Sequence, residues 1–230
     1  MSGAGLAGRI EEIQTALKGS PVRATCICGG FKFGLLFPKK EEREQSKREI
    51  KELLELAARV EAEGVIVVPI FGPPQLPDMS PWKTAVELEE ELLLVQLKEL
   101  ADYAGTVGTK VILEPLNRYE THLLNRLDHA VRIAEQVNSP HMTILADFFH
   151  MNIEEANIGD SIRAAGKWIG YVHLADSNRV LPGLGHTDFR SGFAALQDIG
   201  YGGWMSLECG VPGDRAEALT RSLQFMKAQL

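Results

Sequence analysis

An α/β fold built from repeated strand-helix units around a parallel sheet is predicted by two features of the sequence. Short β-rich runs alternate with longer stretches of helical period, the pattern of consecutive βα units. Four of those runs also finish on a residue able to bind a metal, and strands that all point the same way would gather such residues at one end.

The strands, in order, are "VRATCIC" (22 to 28), "GVIVVPI" (64 to 70), "KVILEP" (110 to 115), "MTILADF" (142 to 148), "IGYVHLA" (169 to 175) and "WMSLEC" (204 to 209). Between them lie helical patterns near residues 5 to 18, 41 to 63, 83 to 105, 127 to 137, 154 to 166, 190 to 199 and 214 to 229, with Gly64 and Gly200 marking helix ends. No linker, low-complexity segment or strict repeat interrupts the pattern, so residues 1 to 230 read as one domain.

Composition narrows the function classes. At 45% hydrophobic the chain can bury a large core. The net charge of -7 is spread through the helices, and the short "FPKKEER" is the main basic cluster, which argues against a nucleic-acid-binding surface. The N-terminal segment lacks the basic-then-apolar layout of a secretion signal, and no apolar run reaches about 18 residues, so no membrane partner and a cytoplasmic location are expected. The three cysteines are odd in number, and Cys26 and Cys28 would alternate to opposite faces of a strand; with Cys209 they read as reduced thiols.

The strand ends carry the chemistry. Glu114 closes "VILEP", Asp147 closes "TILAD", His173 sits late in "GYVHLA" and Glu208 closes "MSLEC". In a parallel barrel these ends share one face. Three carboxylates and an imidazole converging there would repel and desolvate one another unless a divalent cation neutralised them. An oxygen-rich set with a single nitrogen suits Mn²⁺, Mg²⁺ or Co²⁺ better than a sulfur-rich zinc site would. Any one of the four could instead be a helix cap, a surface charge or a core histidine; the set of four favours the metal.

The motifs "LEPLNRYE", "DFFHMNIEE", "VHLADSNR", "PGLGHTDF" and "SLEC", in this order, resemble the xylose isomerase-like sugar isomerases and epimerases, most of all the ketose 3-epimerases of the tagatose and psicose type. The intervals of 33, 26 and 35 residues between Glu114, Asp147, His173 and Glu208 match that family's metal quartet. The resemblance implies a (β/α)8 TIM barrel, a divalent metal with Mn²⁺ favoured, and a small sugar substrate. It also implies that Glu114 and Glu208 pass a proton to and from a carbon next to a carbonyl through an ene-diolate. Glu120, His150 and Arg179 match positions that bind substrate oxygens. Epimerisation, isomerisation and dehydration of a keto-polyol share that first proton abstraction, and a non-catalytic remnant would keep the same metal face.

Other residues receive plainer expectations. Asn152 and Asp188 read as helix N-caps, and Asp214, which can cap the last helix, would repel a phosphate and so favours a free sugar. His186 lies in a glycine-shaped loop, either as a polar wall of the site or in solvent. Six strands stand where the barrel has eight, since "AGRIEEIQTALKG" resembles the helix after the second strand. The exposed sheet edges this implies lead to the expectation of either a longer gene or a homo-oligomer, most simply a dimer.

Overall fold

Nine α-helices and six strands follow one another among the described residues of the computed structural model, which are 3–29, 31, 32 and 34–230. The chain forms two compact units. The first runs through Leu113 and adds Tyr119–Leu123 and Ile133–Thr143; the second holds Glu114–Arg118, Leu124–Arg132 and Ile144–Leu230.

In the first unit, α1 (Gly3–Ala7) and α2 (Ile10–Leu17) precede β1 (Ile27–Cys28), α3 (Lys40–Arg59), β2 (Gly64–Val67), α4 (Ala85–Val107) and β3 (Lys110–Leu113). Strand β1 pairs in parallel with β2, Ile27 opposite Val65, and β2 with β3, Gly64 opposite Lys110. All four residues of β2 are buried, as expected of a parallel strand covered on both faces. Glycine is required at 64: a Cβ there would run into the backbone carbonyl of Lys110 across the ladder. Helix α4 starts on a capping box in which the Thr84 hydroxyl accepts from Glu87 N–H while the Glu87 carboxylate accepts from Thr84 N–H. It stops at Gly108, whose φ of 75° suits a residue without a Cβ.

The chain continues through α5 (Leu127–Val137) and β4 (Met142–Asp147) into α6 (Phe148–Glu154), α7 (Ile158–Ala165), a 3₁₀ turn at Gly166–Trp168, β5 (Ile169–Leu174), α8 (Phe189–Asp198), β6 (Met205–Leu207) and α9 (Arg215–Lys227). In the second unit β4 and β5 pair in parallel with Asp147 opposite His173, and β5 pairs with β6 with Leu174 opposite Leu207. A register shift between Ile144 and Leu145 precedes the Asp147–His173 pairing. Phe148 stacks on Phe189 with ring centroids 5.4 Å apart and packs on Phe193, so α6 and α8 share one apolar cluster beneath the strand ends. Within the first unit the strands lie in the order β1-β2-β3, and within the second in the order β4-β5-β6.

Several boundaries differ from the sequence pattern. Of "VRATCIC" only Ile27 and Cys28 join the ladder, and the helical stretch expected at 5 to 18 breaks into α1 and α2. The helix expected at 154 to 166 is reduced to α7, which Asn157 caps by accepting from Asp160 N–H, because Glu154 ends a separate helix, α6, that Asp147 caps by accepting from Phe149 N–H and His150 N–H. Asn152 is therefore not an N-cap; it lies inside α6 because Asp147 has already started that helix. Asp188 and Asp214 do cap α8 and α9, accepting from Ser191 N–H and Glu217 N–H.

Candidate metal centre

Parallel register and strand length bring four of the sequence-selected residues to one place in the second unit. Glu114 follows β3 directly, Asp147 ends β4, His173 lies one residue before the end of β5, and Glu208 follows β6. Glu114, Asp147 and His173 are 3%, 2% and 2% exposed, so their charges have little water to solvate them. His173 Nδ1 lies 3.2 Å from Glu114 Oε1, 3.5 Å from Asp147 Oδ2 and 3.4 Å from Glu208 Oε2.

His150 joins them from the first turn of α6. One donor atom each from Glu114, Asp147, His150 and Glu208 lies within 4.8 Å of all the others, a grouping that could hold a metal ion. The two histidines present different ring edges. His150 Nδ1 accepts from Asn117 N–H at 3.1 Å and also contacts the Asn117 side-chain amide. A neutral ring with its Nδ1 lone pair so engaged carries its proton on Nε2, which lies 4.0 Å from Asp147 Oδ2. His173 instead turns Nδ1 toward the three carboxylates.

Asp147 divides its two oxygens between tasks. Oδ1 accepts from the backbone at the start of α6, at 2.7 Å from Phe149 N and 3.2 Å from His150 N. Oδ2 faces the cluster and, among the described residues, is a buried oxygen with no hydrogen-bond donor. An anionic oxygen in that position fits a cation. The electrostatics agree. Burial pushes the Glu114 carboxyl up to about 7, with Asp147 and Glu208 adding to the rise and His173 opposing it. Burial also acts on Glu208, but the His173 hydrogen bond and charge, together with Arg179, hold it down at about 2.

Arg179 approaches from the loop after β5. Its guanidinium is 3.3 Å from Glu208 Oε2 and lies over the Phe149 ring, 4.8 Å from the centroid. Arg179 adopts φ 57°, a left-handed conformation that the surrounding loop imposes. That loop is organised by Asp176, 1% exposed, whose carboxylate accepts from Ser177, Gly183 and Thr187 N–H at 2.8, 2.8 and 3.0 Å. Arg179 N–H donates to Asp176 O and Gly210 N–H to Arg179 O, which knits the loop to the segment just past Glu208. His186 is exposed and its Nδ1 contacts Ser177 Oγ at 2.9 Å.

Glu120 belongs to the first unit, where its backbone carbonyl accepts from Gly72 N–H at 2.8 Å. Sequence reasoning missed Asn117, Phe149 and Asp176, and gave no role to Glu154 and Glu155. These last two are 5% and 1% exposed in their side chains. Glu154 takes a bidentate contact from the Arg118 guanidinium as well as Arg118 N–H, and Glu155 accepts from Leu127 N–H and Ser161 Oγ. The pair fixes the chain that leads away from Glu114 onto α6. Its signal in the sequence was two adjacent acids directly after an apolar turn.

Comparison with known proteins agrees with this architecture. The family model for the xylose isomerase-like TIM barrel matches residues 4–229, and the chain belongs to that family. It is 32% identical over 225 residues to 3-dehydro-D-guloside 4-epimerase of Escherichia coli, covering 96% of this chain and 86% of that protein. It is 42% identical to L-ribulose 3-epimerase of Methylomonas sp. over 112 residues, which is 49% of this chain and 39% of that one. Among solved structures, 3-keto-D-glucoside 4-epimerase from E. coli in its apo form superposes with a TM-score of 0.89 at 32% identity, over 99% of this chain and 87% of that one. A D-psicose 3-epimerase from Clostridium cellulolyticum H10, solved with D-tagatose, shares the fold with a TM-score of 0.86 at 24% identity, over 100% of this chain and 88% of that one. These sugar epimerase relatives place the chain among the isomerases. No helix among the described residues is long and apolar enough to cross a membrane.

Proposed function

We propose that the chain is a divalent-metal-dependent epimerase of a keto sugar, with Glu114, Asp147, His173 and Glu208 as the metal ligands and Mn²⁺ the favoured ion. The observation that carries this reading is the buried Asp147 Oδ2, left without a donor among the described residues beside two further carboxylates and the Nδ1 edge of His173. His173 is preferred to His150 as the nitrogen ligand because His150 Nδ1 is engaged by Asn117, which leaves Nε2–H as a donor. A bound divalent cation would supply neutralisation of negative charge that develops on the substrate oxygens as an ene-diolate forms.

The chain's own groups then account for the proton transfer. Removing a proton next to a carbonyl and returning one to the opposite face needs two carboxylates, and Glu114 and Glu208 supply them, exchanging roles when the reaction runs in reverse. His150 Nε2–H and the Arg179 guanidinium, held by Phe149 and the Asp176 loop, would donate to the substrate oxygens flanking the reacting carbon. Glu120 is assigned to a substrate hydroxyl. The substrate class favoured is a 3-keto glycoside, because the E. coli 4-epimerase is similar along nearly the whole chain; a free ketose is the second candidate, on the shorter similarity to the L-ribulose 3-epimerase.

The test is a panel of methyl 3-dehydro-D-glucoside, D-tagatose, D-psicose and L-ribulose, incubated with the Mn²⁺-loaded protein and followed by NMR. Formation of an epimer that EDTA stops is expected. Turnover that persists after the metal is stripped, or loss of water in place of epimerisation, would overturn the proposal.

A further inference from the structure

Away from the metal cluster, the first unit contains a second buried acid-base pair that the proposed chemistry does not use. Glu89, in the second turn of α4, is 0% exposed. Its Oε1 accepts from Gln75 N–H at 2.6 Å and Leu76 N–H at 3.1 Å, and its Oε2 meets His122 Nε2. The other ring nitrogen, His122 Nδ1, lies 2.8 Å from the carbonyl of Gly72. A carbonyl can only accept, so Nδ1 carries a proton. The Glu89 carboxyl, whose Oε1 already accepts two backbone N–H groups, shares one proton with Nε2 through Oε2. Both ring nitrogens are thus engaged, Nδ1 by a carbonyl and Nε2 by a buried carboxyl.

This pair ties three segments together. Gly72 N–H donates to Glu120 O, and His122 N–H donates back to Gly72 O at 3.1 Å. Gly72 and Thr121 form an isolated parallel bridge, and the φ of 78° at Gly72 is one that a side chain would strain. The segment carrying Glu120 is thus held to the loop after β2 by short backbone contacts, and that loop is held by Glu89 to a long, capped helix. A buried, fully hydrogen-bonded pair of polar groups fixes one geometry.

We infer that Glu89 and His122 are positioning residues that set the place of Glu120. The inference rests on the substrate role proposed for Glu120, and it extends that role to a pair 33 residues apart in sequence. Breaking either member frees the 119 to 123 segment without touching any metal ligand.

Three measurements test it. In the Mn²⁺-loaded protein acting on methyl 3-dehydro-D-glucoside, Glu89→Gln and His122→Gln should each raise KM about tenfold or more with metal content unchanged. The double variant should match the single ones, since both changes remove one linkage. A folded single variant with the parent KM, or additive effects, would overturn the inference. If Glu120→Gln itself leaves KM unaltered, the substrate role of Glu120 has failed, and the positioning of a substrate-binding group with it. Two readouts need no activity. Nitrogen NMR of the resting protein should show His122 Nδ1 bearing a proton, and amide exchange across 119 to 123 should quicken in Glu89→Gln. A bare Nδ1, or unchanged exchange in that variant, contradicts the clamp directly.

Discussion

With no cation in the cluster, the protein is expected to lose stability as the pH rises. In the metal-free state burial holds the Glu114 carboxyl at about 7, against an ordinary value of 4.5. Between those values the folded chain keeps a proton that the unfolded chain has released, so stability falls as pH increases, by about 3 kcal/mol over the whole interval. Glu208 acts in the opposite direction and in another window. Lowered to about 2 from 4.5, it contributes stability that is complete above 4.5 and is lost only as pH falls toward 2. The decline between about pH 5 and about pH 8 therefore belongs to Glu114. Urea unfolding in EDTA at those two pH values would measure it, and Mn²⁺ should abolish it, because a bound cation holds the carboxylates deprotonated and stabilises the folded state. Equal stability at both pH values in EDTA, or an undiminished fall in Glu114→Gln, would refute the reasoning.

Three further outcomes follow from the same geometry. Asp147→Asn should lower Mn²⁺ affinity by about tenfold or more in calorimetry, since it removes the charge behind the undonated Oδ2; parent affinity would remove Asp147 from the ligand set. Asp176→Ala strips the acceptor from three backbone N–H groups and should cost about 3 kcal/mol in thermal or urea unfolding, with a loss of under about 0.5 kcal/mol counting against its role in the Arg179 loop. Gly64→Ala drives a Cβ into the Lys110 carbonyl and should yield little soluble folded protein, whereas a variant that melts like the parent would contradict the close approach of β2 and β3.

The strand-end grouping was legible because apolar runs of β-rich residues end near an acid or a histidine, and a parallel arrangement leaves few places for those side chains to go. Glu114, Asp147, His173 and Glu208 accordingly come together. What the pattern concealed depends on pairing over distance. "VRATCIC" has strand composition throughout, yet only Ile27 and Cys28 find ladder partners in β2. Glu154 and Glu155 received no role from the pattern, and they are buried because Arg118 and the backbone of Leu127 reach them from another part of the chain. Asp176 reads as an ordinary turn acid until the N–H groups of a loop eleven residues long are seen to converge on it. The second role of Asp147, capping α6 with one oxygen while presenting the other to the cluster, hid the true start of that helix.

The most direct measurement of the central claim is solvent deuterium exchange. The Mn²⁺-loaded protein, incubated with methyl 3-dehydro-D-glucoside in D₂O, should place deuterium on the carbon next to the carbonyl in the epimeric product, and Glu114→Gln and Glu208→Gln should each slow this by about a hundredfold or more. An epimer formed without deuterium, or exchange that persists in Glu208→Gln, would contradict proton transfer by these two carboxylates.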